Sequence, residues 1–354
     1  MNAMFDIDSV YGAIVGAAIG DAVGSTTRGR PPRGADEAVA PGRLTPAALQ
    51  MVAVMRAMLK YDGSGVQAFL AQELRSWARK GFPEIKAEAE CDPFTKLVLD
   101  DPNFTKDPRA AANAVRVNRC NNFALTRAIP AAFVEGTRNW AGNVTIVTHT
   151  DPACLFAAVF VAELVAQVAH GRAQLTPQLL LNAVDAAKAV APKKLAEDAA
   201  RAMIRTTRLE DIAVADREGQ NTPQTAMAVA VWGFRLLLRA SEGGLPGDDF
   251  EKYVTALARR GGGATVNCAV LGAVLGAAIG YSALPAELVA KTPHVEWLVK
   301  EIAAFTKIAS IAEAKAEPEE KRADQTREDA ELSDIVVVST EEISASTTVP
   351  APAT

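Results

Sequence analysis

Two segments near opposite ends of the chain constrain its fold more than anything else in it. GAIVGAAIGDAVG places glycines at 12, 16, 20 and 24, and GGGATVNCAVLGAVLGAAIG places others at 272, 276 and 280. Their cores nearly repeat each other, GAIVGAAIG against GAVLGAAIG. Residues four apart share one face of a helix, so each segment predicts an apolar helix with a smooth glycine stripe. Each glycine costs a helix about 1 kcal/mol against alanine. A row of them in register implies a gain elsewhere, and close approach of a second backbone supplies it. The repeat predicts that the two helices are each other's partner, a central pair with the intervening chain wrapped around it.

None of the three longest apolar runs reaches the ~20 residues that a bilayer span requires. Val10–Gly20 stops at Asp21, the run from Cys268 to Ala283 follows Asn267 and three glycines, and Ala153–Ala169 contains Glu163 and Gln167. These are expected to be core helices, with no membrane partner. The 354 residues are 49% hydrophobic with a formal charge of -5, ample for a core and the wrong sign for a nucleic-acid partner. Cys91, Cys120, Cys154 and Cys268 are scattered without paired spacing. They read as buried free thiols in a reducing compartment, not as a disulfide framework or a zinc site. MNAMFDIDSV has no basic stretch and two aspartates, unlike a secretory signal. The expected location is cytoplasmic or within an assembled particle.

Taken in order, Ser9 is the expected cap of a first helix running to Val23, followed by a proline- and arginine-rich loop to Leu44. Thr45 with Pro46 opens a helix to Lys60, since proline is tolerated at the first helical position. Gly65–Lys80 is a further helix, residues 81–108 are polar and proline-interrupted, and Ala110–Val134 is helical at both ends. Trp140–His149 reads as a loop with the β-branched patch VTIVT. Helices follow at Pro152–His170, Leu179–Val190, Lys193–Ile204, Thr222–Ala240, Pro246–Arg260, the glycine segment and Pro285–Ala312. The fold class is therefore all-α. Residues 1–312 form the helical domain and 313–331 a charged linker; 332–354 form a low-complexity tail with one strand-like run, IVVVS. That run suits either disorder or addition to a partner's sheet edge.

Five stretches fall in the order seen in ADP-ribosylglycohydrolases. They are GAIVGAAIGDAVG, the helix start at Thr45, NFALTRAIP, THTDP, and GGGATVNCAVLGAVLGAAIG. The resemblance spans Val10–Tyr281. It implies an orthogonal all-α bundle around a cleft holding two magnesium ions, and cleavage of the glycosidic bond that joins ADP-ribose to a protein side chain.

The departures from the family pattern matter more than the matches. Where the family has Thr-Asp-Asp-Thr, this chain reads Thr45, Pro46, Ala47 and Ala48. Where the family's second motif places two aspartates and a threonine, it reads Gly263, Thr265 and Val266. Magnesium demands octahedral oxygen ligation, and paired dications need carboxylates to offset their repulsion. The magnesium site is therefore expected to be lost, leaving no cofactor and no catalytic residue of the family type. Asp21, Asn122, Arg127, His149, Asp151 and Asn267 remain as candidate contacts to an ADP-ribose-like ligand. Asp21 and Asp151 are also a candidate carboxylate pair for metal-free chemistry. Against these stand plainer readings: Asp21 caps a loop, His149 is hydrogen-bonded near a helix start, and Arg127 is an internal ion-pair partner. Phe123 stands where the family has glycine. The loop RGRPPRG, with Arg43, suits a phosphate as well as solvent.

The expected function is that of a catalytically inactive relative kept as a structural or assembly subunit. Its setting would be a virion or another large complex, with protein partners reached through the tail. The alternatives are a non-hydrolytic ADP-ribose-binding module and a metal-independent hydrolase.

Overall fold

Helix starts follow the chain's capping chemistry in the computed structural model, which describes residues 5–34, 37–87, 89–117, 120–170, 174–190, 192–195, 205–206, 208–214, 221–240 and 247–314. The described helices are α1 (Ile7–Ser25), α2 (Pro46–Lys60), α3 (Val66–Lys80), α4 (Pro93–Asp100), α5 (Pro108–Ala114), α6 (Thr137–Ile146) and α7 (Pro152–His170). After these come α8 (Pro177–Lys188), α9 (Pro223–Ala240), α10 (Gly247–Arg259), α11 (Ala264–Ile279), α12 (Ala286–Lys291) and α13 (Val295–Ala314). Proline opens α2, α4, α5 and α8, where its missing N–H would have had no intrahelical partner. Among the described residues no strand forms, and one isolated antiparallel bridge joins Phe82 to Ala87. The chain is all-α.

The two glycine helices pair as an antiparallel seam. A Cβ on Gly12, Gly16, Gly20 or Gly24 would overlap the carbonyl oxygen of Gly276, Gly272, Cys268 or Ala264 respectively. The relation is reciprocal: a Cβ on Gly272 or Gly276 would overlap the carbonyl oxygen of Gly16 or Gly12. At this distance the helices touch backbone to backbone, and Cα–H groups face carbonyl oxygens. Both helices are buried nearly all round, as expected for apolar helices at the centre of a domain. α7, α9, α10 and α2 pack around the pair. α1 and α7 are long and apolar enough to cross a membrane, but most of each lies inside this core.

Several local expectations need correction. Asp6, not Ser9, caps α1; its carboxylate accepts from Asp8 N–H at 3.0 Å, and Ser9 is buried within the helix. The VTIVT patch is loop only at its end, because α6 runs through Ile146 and Val147 and Thr148 form the turn after it. Ala141, Val144, Thr145 and Ile146 are buried in α6, which packs on α7. That burial outweighs the modest helix penalty of β-branched residues. Within the segment read as polar and interrupted, α4 forms behind an Asp92 cap and buries Phe94, Val98 and Leu99. α13 reaches Ala314, and the linker and tail beyond it lie outside the described residues.

Candidate functional site

The starts of α2 and α11 flank the C-terminal half of α1, where Asp21 projects. Thr45 caps α2, its hydroxyl accepting from Ala47 N–H at 3.3 Å. Thr45 in turn holds Asp21: its N–H donates to Oδ2 at 2.6 Å and its hydroxyl to Oδ1 at 2.5 Å. Asp21 is fully buried. Burial pushes its carboxyl up to about 7, against the opposing pull of the Thr45 and Ala48 hydrogen bonds and the positive charge of Arg28. Asp21 thus holds the residue that caps α2. Ala47 and Ala48 present buried methyl groups at the start of α2. Across from them, Gly263 precedes α11, whose first turn carries the buried Thr265 and Val266.

Beside this lies a layer of buried polar groups. Arg127 Nη2 donates to Thr148 Oγ1 and approaches His149 Nδ1 at 3.3 Å. The Thr148 hydroxyl lies 2.7 Å from Nδ1, and His149 Nε2 lies 2.8 Å from Asn121 Oδ1. Because Asn121 Oδ1 can only accept, the imidazole carries its proton on Nε2 and accepts at Nδ1. Burial, reinforced by the Arg127 charge, holds its pKa well below the usual histidine range, so it stays neutral. The ring packs against Phe94 with centroids 4.8 Å apart. Asn122 Nδ2 reaches Asn267 Oδ1 on α11 at 3.4 Å.

That layer is incompletely satisfied. Among the described residues, Arg127 Nε and Nη1, Asn122 Oδ1, Thr126 Oγ1 and both amide atoms of Gln50 are buried without a hydrogen-bond partner. Asp92 Oδ2 is another such atom. Burial lowers the Arg127 guanidinium to about 10, and the nearby Asp92 charge offsets this only in part. The ion pair expected for Arg127 does not form among the described residues; its partners are neutral.

The arginine loop is strapped over the glycine turn that opens α11. Gly29 N–H donates to Gly262 O at 2.8 Å, Gly262 N–H to Arg30 O at 3.2 Å, and Arg33 N–H to Arg259 O at 2.7 Å. Gly261, at φ 71°, has no room for a Cβ beneath the Arg30 carbonyl. The Arg28 guanidinium sits 5.9 Å from the ring centroid of Phe123. Arg43 instead pairs with Glu90. Two surface hollows, of about 540 and 290 Å³, are lined by residues including Arg43, Lys86 and Glu90, and Arg56, Lys60 and Glu73; neither is lined by Asp21, Asn122, Arg127 or His149.

The structure therefore joins Asn122 to Asn267 and Arg127 to His149, and places Asp21 with Thr45. It does not pair Asp21 with Asp151. Asp151 caps the start of α7, accepting from Ala153 N–H at 2.9 Å, and stands beside Cys120 and Cys154. Two of the cysteines read as scattered are thus neighbours. Sequence reasoning also missed Gln50, Asp92, Phe94 and Asn121. The DPFT run, an aspartate cap followed by proline, carried a usable helix-start signal for two of them. Gln50 and Asn121 carry no such mark.

Comparison with known proteins accords with this architecture. One solved structure, described as an ADP-ribosylglycohydrolase-related protein complex, aligns with a TM-score of 0.63 at 20% identity, covering 86% of this chain and 98% of that one. At that identity the likeness speaks for the fold alone. No curated protein sequence matches the chain. The family model for ADP-ribosylglycohydrolases matches residues 3–321. With that span matched, on a fold built around its paired glycine helices, the chain belongs to the ADP-ribosylglycohydrolase family.

Proposed function

We propose that this protein is a non-hydrolytic member of its family that serves as a structural or assembly subunit of a larger complex, a virion among the candidates. The observation that carries the reading is Asp21, whose two carboxylate oxygens both accept from Thr45. The helix starts on either side offer hydroxyls, methyl groups, a glycine and the Asn267 amide, none of them charged. These residues do not fit a pair of magnesium ions, which need several charged oxygen ligands. Among the described residues, no group of three His, Cys, Asp or Glu ligand atoms gathers there. Without metals, the site lacks the group that in such hydrolysis lowers the pKa of an attacking water. The assembly part is supported by the sequence of the tail, whose IVVVS run suits addition to a partner's sheet edge. The test is release of ADP-ribose from arginine- and serine-linked substrates with magnesium present. No turnover is expected; magnesium-dependent turnover abolished by Asp21→Asn overturns the proposal.

A second reading, an ADP-ribose-binding module without hydrolysis, is favoured by one specific observation. Arg127, Asn122, Thr126 and Gln50 carry buried polar atoms with no partner among the described residues. Each such group costs about 1–3 kcal/mol, and an anionic, hydroxyl-rich ligand would satisfy them. Calorimetry with ADP-ribose in the absence of magnesium decides it. Binding that is lost in Arg127→Met supports this reading, and no heat at millimolar ligand rejects it.

A further inference from the structure

At the start of α7, outside the layer just described, two thiols and a carboxylate converge. The ligand atoms of Cys120, Asp151 and Cys154 all lie within 4.8 Å of one another. The arrangement follows from local structure. Asp151 sits at the helix start and Cys154 three residues on, a spacing that places both on one face. Cys120 arrives from the segment leading to Asn121, whose main-chain oxygen lies 3.2 Å from Cys154 Sγ. Cys154 is buried, Asp151 half-buried and Cys120 exposed, so the cluster has a fixed floor and an open side. We propose that Cys120, Asp151 and Cys154 bind one thiophilic divalent cation, zinc first among them, with water at the fourth position.

The donor set selects the metal. Thiolates are soft ligands that favour zinc over magnesium or calcium, and two sulfurs, one carboxylate oxygen and a water complete a tetrahedron. Three protein ligands and an open position are the usual form of a zinc site accessible to solvent. Loading displaces both thiol protons to solvent and replaces the Cys154 contact to the Asn121 carbonyl with a metal bond. A disulfide between Cys120 and Cys154 is the rival outcome. It requires an external two-electron oxidant and leaves the Asp151 carboxylate without a part in the cluster. The cation has a mechanical consequence, since it ties the chain before Asn121 to α7. Asn121 accepts from His149 Nε2–H, so the metal would fix the outer partner of the buried imidazole.

The test is a zinc titration of the reduced full-length protein by chelator competition, with native mass spectrometry for stoichiometry and cobalt substitution for ligand type. One equivalent is expected, with the intense visible and near-ultraviolet bands of tetrahedral cobalt thiolate. Cys120→Ser and Asp151→Asn should each weaken binding by more than about tenfold. Cys91→Ser should not change it. Cys120 lies on the exposed side, so its variant keeps the fold if Cys154→Ser does not. Zinc should also slow modification of Cys120 by a thiol reagent. Any of three results overturns the proposal: sub-stoichiometric uptake, cobalt spectra without sulfur charge transfer, or a protein that forms the Cys120–Cys154 disulfide and takes up no zinc after reduction.

Discussion

The seam between α1 and α11 and the polar layer beside it are built on opposite principles. Along the seam no side chain intervenes, and each glycine is opposed by a carbonyl oxygen. The interface is complete and cannot be enlarged by one carbon. The layer that holds Arg127 and His149, with Asp21 beside it, is equally buried, yet its groups are polar, some of them titratable, and several polar atoms lack partners. Close-packed apolar interiors tolerate almost no change of volume, whereas buried polar layers are sensitive to protonation and to loss of single partners. The seam is thus set by volume alone, and the layer by partners and protonation.

The largest effect should come from the seam. Gly272→Ala, whose Cβ would meet only backbone, should destabilise by more than about 4 kcal/mol in chemical denaturation. Gly233→Ala on α9, where the new Cβ meets the flexible end of Leu271 at 2.8 Å, should stay within about 1 kcal/mol of wild type. Equal costs at the two positions would remove the seam's special status.

Next in size is a pH effect in the polar layer. The Asp21 carboxyl is raised from 3.8 to about 7 in the folded state, so between those values the folded chain holds a proton that the unfolded chain releases. Its contribution is present at low pH and is lost as pH rises through that window, by about 3 kcal/mol between about pH 4 and pH 7. Asp21→Asn, which can still accept from the Thr45 N–H, should abolish that slope relative to wild type. His149 works in the other direction. Its folded pKa lies well below 6.5, so its contribution is present above that pH and is lost as the unfolded chain takes up protons below it. His149→Asn should remove that acid-side loss, and thermal denaturation across the pH range reads both.

Smaller effects follow. Arg127→Met keeps volume and removes two orphaned donor groups, so it should raise stability by about 1–2 kcal/mol. A drop of similar size would mean that Arg127 is satisfied in solution. Smallest is the rim contact of Arg56, which grips Glu301 at 3.0 and 2.6 Å and ties α2 to α13. Glu301→Gln should lower stability by about 1 kcal/mol, and less in high salt.

The seam was legible because glycine spacing along a helix is a one-dimensional signal with a single geometric meaning. So was the Thr45–Pro46 helix start, since caps act within a few residues. The VTIVT segment misled because propensity is local while its burial against α7 is not. Arg127 was expected to find a carboxylate, and its neutral partners come from segments whose mutual placement no spacing reveals. The Cys120–Asp151–Cys154 group was hidden for the same reason: 31 residues separate Cys120 from Asp151, and only the packing of α7 against the preceding turns closes that gap.

The seam also sets a condition on biosynthesis. α1, apolar along most of its length, is made well before its partner α11, which ends only at Ile279. At roughly 5–20 residues per second, the ribosome leaves α1 without its mate for some tens of seconds. Through that interval the nascent chain must shield a sticky leading segment by transient contacts or a chaperone, and the domain closes only when nearly all of it has been made.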